Sequence, residues 1–309
     1  MSTKRFRNHY KLLIKIGVSI VILAVIFSAI DLSKLIDTFK NIPLWVALFT
    51  IFGYASGQLI NSYKWSRIAL GGGLNAPYLR AVKACYIGMF VNCFGLGVVG
   101  GDITRGALIA SSLSEQPKAL TSVVADRIHG LIVLCLIAFV SIMIYGAPQG
   151  KGQISELPGY VLAICLCFFF LSPILIPKLL PVNHKIRKQL EELFKIFPKD
   201  PSLLIKISLV SLFFHLLQIS LHLVMAAGIG AKITFPELLV SIPFINIITS
   251  LPISWNGLGV RDAAYIFFLT PQILSTEQAV AFGAIWFLAV TTTSCIGGFV
   301  AALAKINGD

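Results

Sequence analysis

The chain has 309 residues, 57% of them hydrophobic and only 12% charged, where a soluble globular domain carries about 25% charged residues. Apolar runs of membrane-spanning length recur along nearly the whole sequence, which excludes a water-soluble fold and makes the bilayer the solvent for most side chains. The formal charge of +12 admits nucleic acid, anionic lipid or a topology signal, and the placement of the charges decides among them.

Read in chain order, the N-terminus places Lys4, Arg5, Arg7, Lys11 and Lys15 around the start of an apolar stretch that runs from 12 to 30. Asp31 and Leu32 follow with no Ala-x-Ala cleavage pattern, so this is a retained first span rather than a signal peptide. Further spans are expected at 43–61, 119–145, 159–177, 205–229 and 278–303, six in all. Two other apolar regions, 81–99 and 236–270, are interrupted by Gly and Pro and carry charges. Counting basic residues decides how they thread. The N-terminus, the segment with Lys64, Arg67, Arg80 and Lys83, and residues 178–206 with seven basic residues against Glu191, Glu192 and Asp200 are cytoplasmic by the positive-inside rule. The remaining loops, around Asp31 to Lys40, Lys151 and Glu156, Lys232 and Glu237, and Glu277, are nearly neutral and face outward.

This alternation holds only if 81–118 enters from and returns to the cytoplasm, while 236–275 enters from and returns to the outer face. Each is then a re-entrant helical hairpin, and both termini are cytoplasmic. Irregular backbone at such depth is tolerated only inside protein or beside a wet cavity. Residues 181–198 space Ile186, Leu190, Leu193 and Phe194 at helical intervals among basic residues, which predicts an interfacial helix on the anionic inner leaflet.

Gly95-Leu96-Gly97-Val98 recurs as Gly257-Leu258-Gly259-Val260, an offset of 162 residues. The same offset carries 43–61 onto 205–223 and 119–145 onto 281–307. The expected fold is therefore all-α and polytopic: one membrane domain over 1–309, with about six full spans and two opposed re-entrant hairpins. Its halves, 11–145 and 159–303, form an inverted-topology repeat, an arrangement that puts substrate sites between paired broken helices.

The chemistry-bearing residues cluster in these hairpins. Asp102 and Arg105 are three apart and share a helix face, whereas Asp126 and Arg127 are adjacent and must find partners elsewhere. In the second hairpin Asn256, Gly257, Gly259, Arg261 and Asp262 lie within an apolar segment, where ionisable groups demand a functional or pairing reason. One reading is a polar cavity in which Arg105, Arg127 and Arg261, with Asp102, Asp126, Asp262, Asn256, Gly257 and Gly259, hold an anionic headgroup. Arg grips phosphate in two places, and glycine lets backbone amides approach the same oxygens. The bland alternative is that these charges pair with one another and pin the hairpins.

Cys85, Cys93, Cys135, Cys165, Cys167 and Cys295 all fall in apolar segments outside any Cys-x-x-Cys or Cys/His pattern and read as packing residues. His215 and His222 share a helix face without a third ligand in register, so interhelical hydrogen bonds are expected of them rather than metal. No phosphate-binding loop, nucleophile elbow or His-Glu-x-x-His motif occurs. No metal, cofactor, catalytic residue or nucleic-acid partner is expected.

Gly100-Gly101-Asp102 with Arg105, Asp126-Arg127 opening a long span, and Pro252 followed by Asn256 to Asp262 resemble the signature segments of the lysylphosphatidylglycerol synthase transmembrane family, also called the flippase-like domain. That family includes the membrane half of the bacterial multiple peptide resistance factor. The resemblance covers essentially the whole chain, with Asp at positions 126 and 262 where the family pattern more often has Glu. It implies a bacterial inner-membrane domain that moves a phospholipid or a polyprenyl- or glycan-linked lipid between leaflets. Few residues follow the last expected span, so the soluble aminoacyl-transferase activity of the larger family members is expected to be absent. The alternatives are a membrane-embedded headgroup transferase with Asp102, Asp126 or Asp262 as general base, or a scaffold for a separate lipid-modifying enzyme. Self-association stays open.

Overall fold

The structure, a computed structural model, describes residues 17–28, 31–95, 97–146, scattered positions from 160 to 181, and 183–251, 254–270 and 273–306. The N-terminal basic residues, Pro252 and the loop around Lys151 lie outside the described residues, as does most of the span expected at 159–177.

Among the described residues all regular structure is helical. In chain order the helices are α1 (Gly17–Ser28), α2 (Leu32–Lys40), α3 (Leu44–Gly71), α4 (Tyr78–Phe94), α5 (Gly97–Ile109), α6 (Gln116–Tyr145), α7 (Lys185–Ile196), α8 (Pro201–Gly228), α9 (Phe235–Ser250), α10 (Val260–Leu269) and α11 (Thr276–Ile306). Among the described residues, α3, α6 with the short turn before it, α8 and α11 are long and apolar enough to cross a membrane, and α1 and α2, bent by 97° to each other, make a fifth span if taken as one. The protein is an all-helical polytopic membrane protein.

Local chemistry explains where the helices differ from the sequence reading. Residues 32–40, expected as loop, are helical because the Asp31 carboxylate accepts from the Ser33 and Lys34 amides and caps the first turn. The span expected to end at 61 continues to Gly71 because Lys64, counted above among the cytoplasmic charges, is buried and neutralised by Asp126 on α6. The amphipathic helix expected at 181–198 forms at Lys185–Ile196. It sets Leu193 and Ile196 against Ile68, Ala125 and Ile207, and the Arg187 guanidinium, donating to Glu191 at 2.8 Å, holds that exposed carboxyl below its ordinary range.

The two glycine-interrupted regions are pairs of short helices. The α4–α5 pair breaks at Gly95 to Gly97, and the α9–α10 pair breaks between Leu251 and Gly259. Gly97 and Gly259, 162 positions apart, both take left-handed φ values, 69° and 79°, which a side chain would strain. The helices from α3 to α6 are 28, 17, 13 and 30 residues long, and those from α8 to α11 are 28, 16, 10 and 31.

Helices distant in the chain pack together: α4 lies on α11, α9 lies on α6, and α3 crosses α8. Small residues permit these approaches, as membrane helix contacts require. A Cβ on Gly297 of α11 would strike the Tyr86 carbonyl of α4, and Gly53 and Gly57 of α3 give room to Leu221 and Gln218 of α8. A buried polar–aromatic cluster ties α8, α10 and α11 together. His222 and the Tyr265 hydroxyl are 2.7 Å apart in a hydrogen bond, and His222 stacks on Trp286 at 4.4 Å.

Candidate functional site: a charged cavity between the helix pairs

The crossing of α3 and α8 and the meeting of the two broken pairs enclose a cavity of about 480 Å³, lined by α3, α4, α5, α6, α8, α9 and α10. Its charged wall is an alternating chain of side chains. Asp126 opens its carboxylate to two cations: Oδ1 lies 3.1 Å from Lys64 Nζ, and Oδ2 accepts from Arg105 Nη2 at 3.1 Å. Arg105 reaches Asp102 on its own helix only at 3.9 Å, while Arg127 grips Asp102 with two nitrogens, at 2.5 and 2.7 Å. The adjacent residues Asp126 and Arg127 thus each pair with a different residue of α5, as their neighbouring positions on one helix demand.

Burial is graded along this chain. The Lys64 and Asp126 side chains are each 3% exposed, Arg105 is 11% exposed, and Arg127 is 41% exposed. Close helix approach sets the inner end. Gly88 on α4 leaves space for the Arg105 stem, and a Cβ on Gly101 would strike the Gly88 carbonyl. The Arg105 guanidinium also lies 4.3 Å above the Trp65 ring, an attraction that desolvation strengthens.

Arg261 enters the cavity from α10. Among the described residues no carboxylate lies within ion-pair distance of it. It approaches the Thr249 hydroxyl at 3.5 Å and the Trp286 ring at 5.7 Å. Four cations, Lys64, Arg105, Arg127 and Arg261, therefore face two carboxylates, Asp102 and Asp126, an excess of two positive charges in one space.

Of the sequence-derived site residues, Arg105, Arg127, Arg261, Asp102 and Asp126 line this cavity. Asn256, Gly257 and Asp262 do not; they border a separate void of about 10 Å³ that Arg261 also touches, enough for about one water. Asp262 turns back to accept from the Gly259 amide at 3.0 Å, and a Cβ on Gly283 would strike its carboxylate. Asn256 and Gly257 supply the left-handed turn that starts α10, and Gly259 continues it against Ser19 and Ile22 of α1. Sequence reasoning missed Lys64 because it stands near the expected end of a span, where lysines usually mark the interface. The apolar continuation Ile68-Ala69-Leu70 after it was the available signal.

Comparison with known proteins agrees with this architecture. Residues 12–297 match the family model described as the lysylphosphatidylglycerol synthase TM region. The chain belongs to this family. It is also 28% identical over 134 residues to a UPF0104 membrane protein of Pyrococcus horikoshii, an alignment covering 41% of this chain and 39% of that relative. The family assignment supports a membrane role connected with lipids. Within this family member, His215 and His222 bond the Gly130 carbonyl and the Tyr265 hydroxyl respectively.

Proposed function

We propose that the protein moves an anionic, phosphate-bearing lipid between the leaflets of a bacterial inner membrane, with the headgroup in the cavity and the acyl chains left in the bilayer. The observation that carries this reading is Arg261, a cation without a carboxylate partner among the described residues, in a cavity with an excess of two positive charges. A partly buried charge without a counter-ion is costly, and a phosphodiester or phosphomonoester would neutralise it with charge-assisted hydrogen bonds. The second member of this reading is an inverted repeat, α3–α6 against α8–α11, both termini in the cytoplasm. Its support is the matched helix lengths, the equivalent left-handed glycines and the exchanged packing of α4 and α9.

Headgroup transfer fits the side chains less well. A general base needs a carboxylate within reach of its proton and free to take it. Asp102 and Asp126 are each engaged by cations, and Asp262 is turned into its own helix start.

The test is reconstitution into vesicles carrying a fluorescent phosphatidylglycerol, with inward and outward pools separated by a membrane-impermeant quencher. Arg261→Gln is expected to slow exchange by about tenfold or more, the loss of one charge-assisted contact worth about 1.5–3 kcal/mol. Exchange by the unaltered protein no faster than in protein-free vesicles, across anionic lipids and with or without a proton gradient, overturns the proposal.

A further inference from the structure

Along α8, Ser208, Ser211, His215, Gln218 and His222 recur at alternating three- and four-residue steps, which puts them on one face. At about 1.5 Å per residue this stripe runs about 21 Å, most of the way through a hydrocarbon core of about 30 Å. His215 and Gln218 line the charged cavity, and Ser208 Oγ lies 3.1 Å from His129 Nε2 on α6. Three buried atoms on or beside the stripe, His129 Nδ1, Ser211 Oγ and Gln218 Nε2, have no hydrogen-bond partner among the described residues. A stripe that only pinned helices would leave no such orphans, since each is costly inside a membrane. Ordered water along it would satisfy all three.

The two histidines of the stripe differ in what their bonds leave free. A carbonyl only accepts, so His222 Nδ1, 2.8 Å from the Gln218 carbonyl, carries its hydrogen, and Nε2 accepts from the Tyr265 hydroxyl at 2.7 Å. Both its nitrogens are used. His215 Nε2 donates to the Gly130 carbonyl at 3.0 Å, which leaves the Nδ1 lone pair without a partner among the described residues, in a ring on the cavity wall. Gly130 also lets Lys64 approach, because a Cβ there would sit 3.2 Å from Lys64 Nζ and 3.9 Å from His215 Nε2. Among the described residues, Lys64 from α3 and Asp126 and His129 from α6 are the titratable groups that face His215. The helices α9 and α11, also packed on α8, carry their carboxylates, Glu237 and Glu277, in their first turns.

We infer that His215 is a proton-binding site that loads together with the anionic headgroup, so that the protein carries lipid and proton in the same direction. This rests on the lipid-transport reading and adds the coupling ion. The proton comes from cavity water, bonds to Nδ1 and returns to water from the same nitrogen after the headgroup leaves; the Nε2 hydrogen stays on the Gly130 carbonyl throughout. In the empty cavity an imidazolium would add a positive charge to an existing excess of two, beside Lys64. An anion in the cavity offsets that repulsion, and by linkage the proton raises the affinity for the anion by the same factor. A phosphodiester and one proton also cross together without net charge, so the membrane potential does not oppose them.

The experiment measures binding of dioctanoyl phosphatidylglycerol to the full chain in phosphatidylcholine nanodiscs by titration calorimetry, at about pH 6 and about pH 8, the range in which histidine titrates, and in buffers of different ionisation heat. The phosphodiester stays singly ionised throughout, so a pH effect belongs to the protein. Binding is expected to be about tenfold or more tighter at the lower pH, with net proton uptake. His215→Gln, which keeps a donor for the Gly130 carbonyl but does not titrate, is expected to abolish both the uptake and the pH dependence while still binding the lipid. His129→Gln is expected to keep the uptake, and loss of uptake there with retention in His215→Gln overturns the assignment to His215. Should His215→Gln fold poorly, the unaltered protein in vesicles decides. With the potential clamped by valinomycin and potassium, a pH gradient is expected to accumulate fluorescent phosphatidylglycerol in the leaflet facing the alkaline side, and no accumulation overturns the coupling. Equal binding at both pH values without uptake overturns the proton site and leaves lipid transport standing, whereas no binding at either overturns both.

Discussion

Asp126 is the point where the charged wall of the cavity is most vulnerable, because one carboxylate serves two buried cations. Each contact, at 3.1 Å, has a gross attraction of about 5 kcal/mol at an effective dielectric near 20. Desolvation of three charges offsets most of this, so the measurable quantity is the cost of breaking the set. Asp126→Asn keeps the shape but strands Lys64 and Arg105 facing each other without a counter-charge. Removing one partner from a buried pair costs about 3–5 kcal/mol, and with two cations stranded the upper end applies. Lys64→Met behaves differently, since it leaves a balanced Arg105–Asp126 pair and removes one contact, worth about 1–3 kcal/mol. Denaturant unfolding in mixed micelles, followed by tryptophan emission, reads both variants. Trp65, which donates to the Ser122 hydroxyl at 3.2 Å and lies under Arg105, reports from the affected region. If Asp126→Asn destabilises no more than Lys64→Met, the reasoning that one carboxylate holds two cations is refuted.

Gly297→Ala is expected to lower the yield of monodisperse protein and to cost about 1–3 kcal/mol, because the new methyl meets the Tyr86 carbonyl, which cannot move aside. Gly17→Ala, with nothing within 4 Å of its Cβ, is the control, and equal behaviour of the two refutes the close contact of α4 with α11. Tyr265→Phe removes the hydroxyl from a buried pair and leaves His222 Nε2 unsatisfied, so thermal unfolding should show a loss of about 1–3 kcal/mol; no loss would mean that His222 has another partner. Single cysteines at Ser112 and Ser275 in a cysteine-free background, probed with an impermeant thiol reagent on spheroplasts, test the orientation. Labelling is expected at Ser275, with Ser112 protected until the membrane is permeabilised, and labelling of Ser112 from outside removes the inverted repeat.

The sequence alone was sufficient for whatever depends on local composition and spacing. Hydrophobic length marks α3, α6, α8 and α11 as spans, because a bilayer imposes its thickness on every one of them equally. Glycine and charge interrupting the apolar runs at 81–99 and 236–270 likewise mark where helices break, and both regions are broken pairs. The adjacency of Asp126 and Arg127 on one span also announces that their partners must be sought across helices. What needed the tertiary structure is the choice of partner. Asp126 lies 62 positions from Lys64 and 21 from Arg105 in the chain, and nothing in those separations selects them over the other charges. Close crossing at Gly57, Gly88 and Gly101 sets the distances that make the pairs. The same crossing turns Lys64 from an interfacial lysine into a buried one, whereas Asp262, packed where a Cβ on Gly283 would strike it, accepts from the Gly259 amide instead of facing the cavity. Side-chain reach is a few ångströms, so charge pairing follows helix geometry, and helix geometry is set by packing that sequence spacing does not encode.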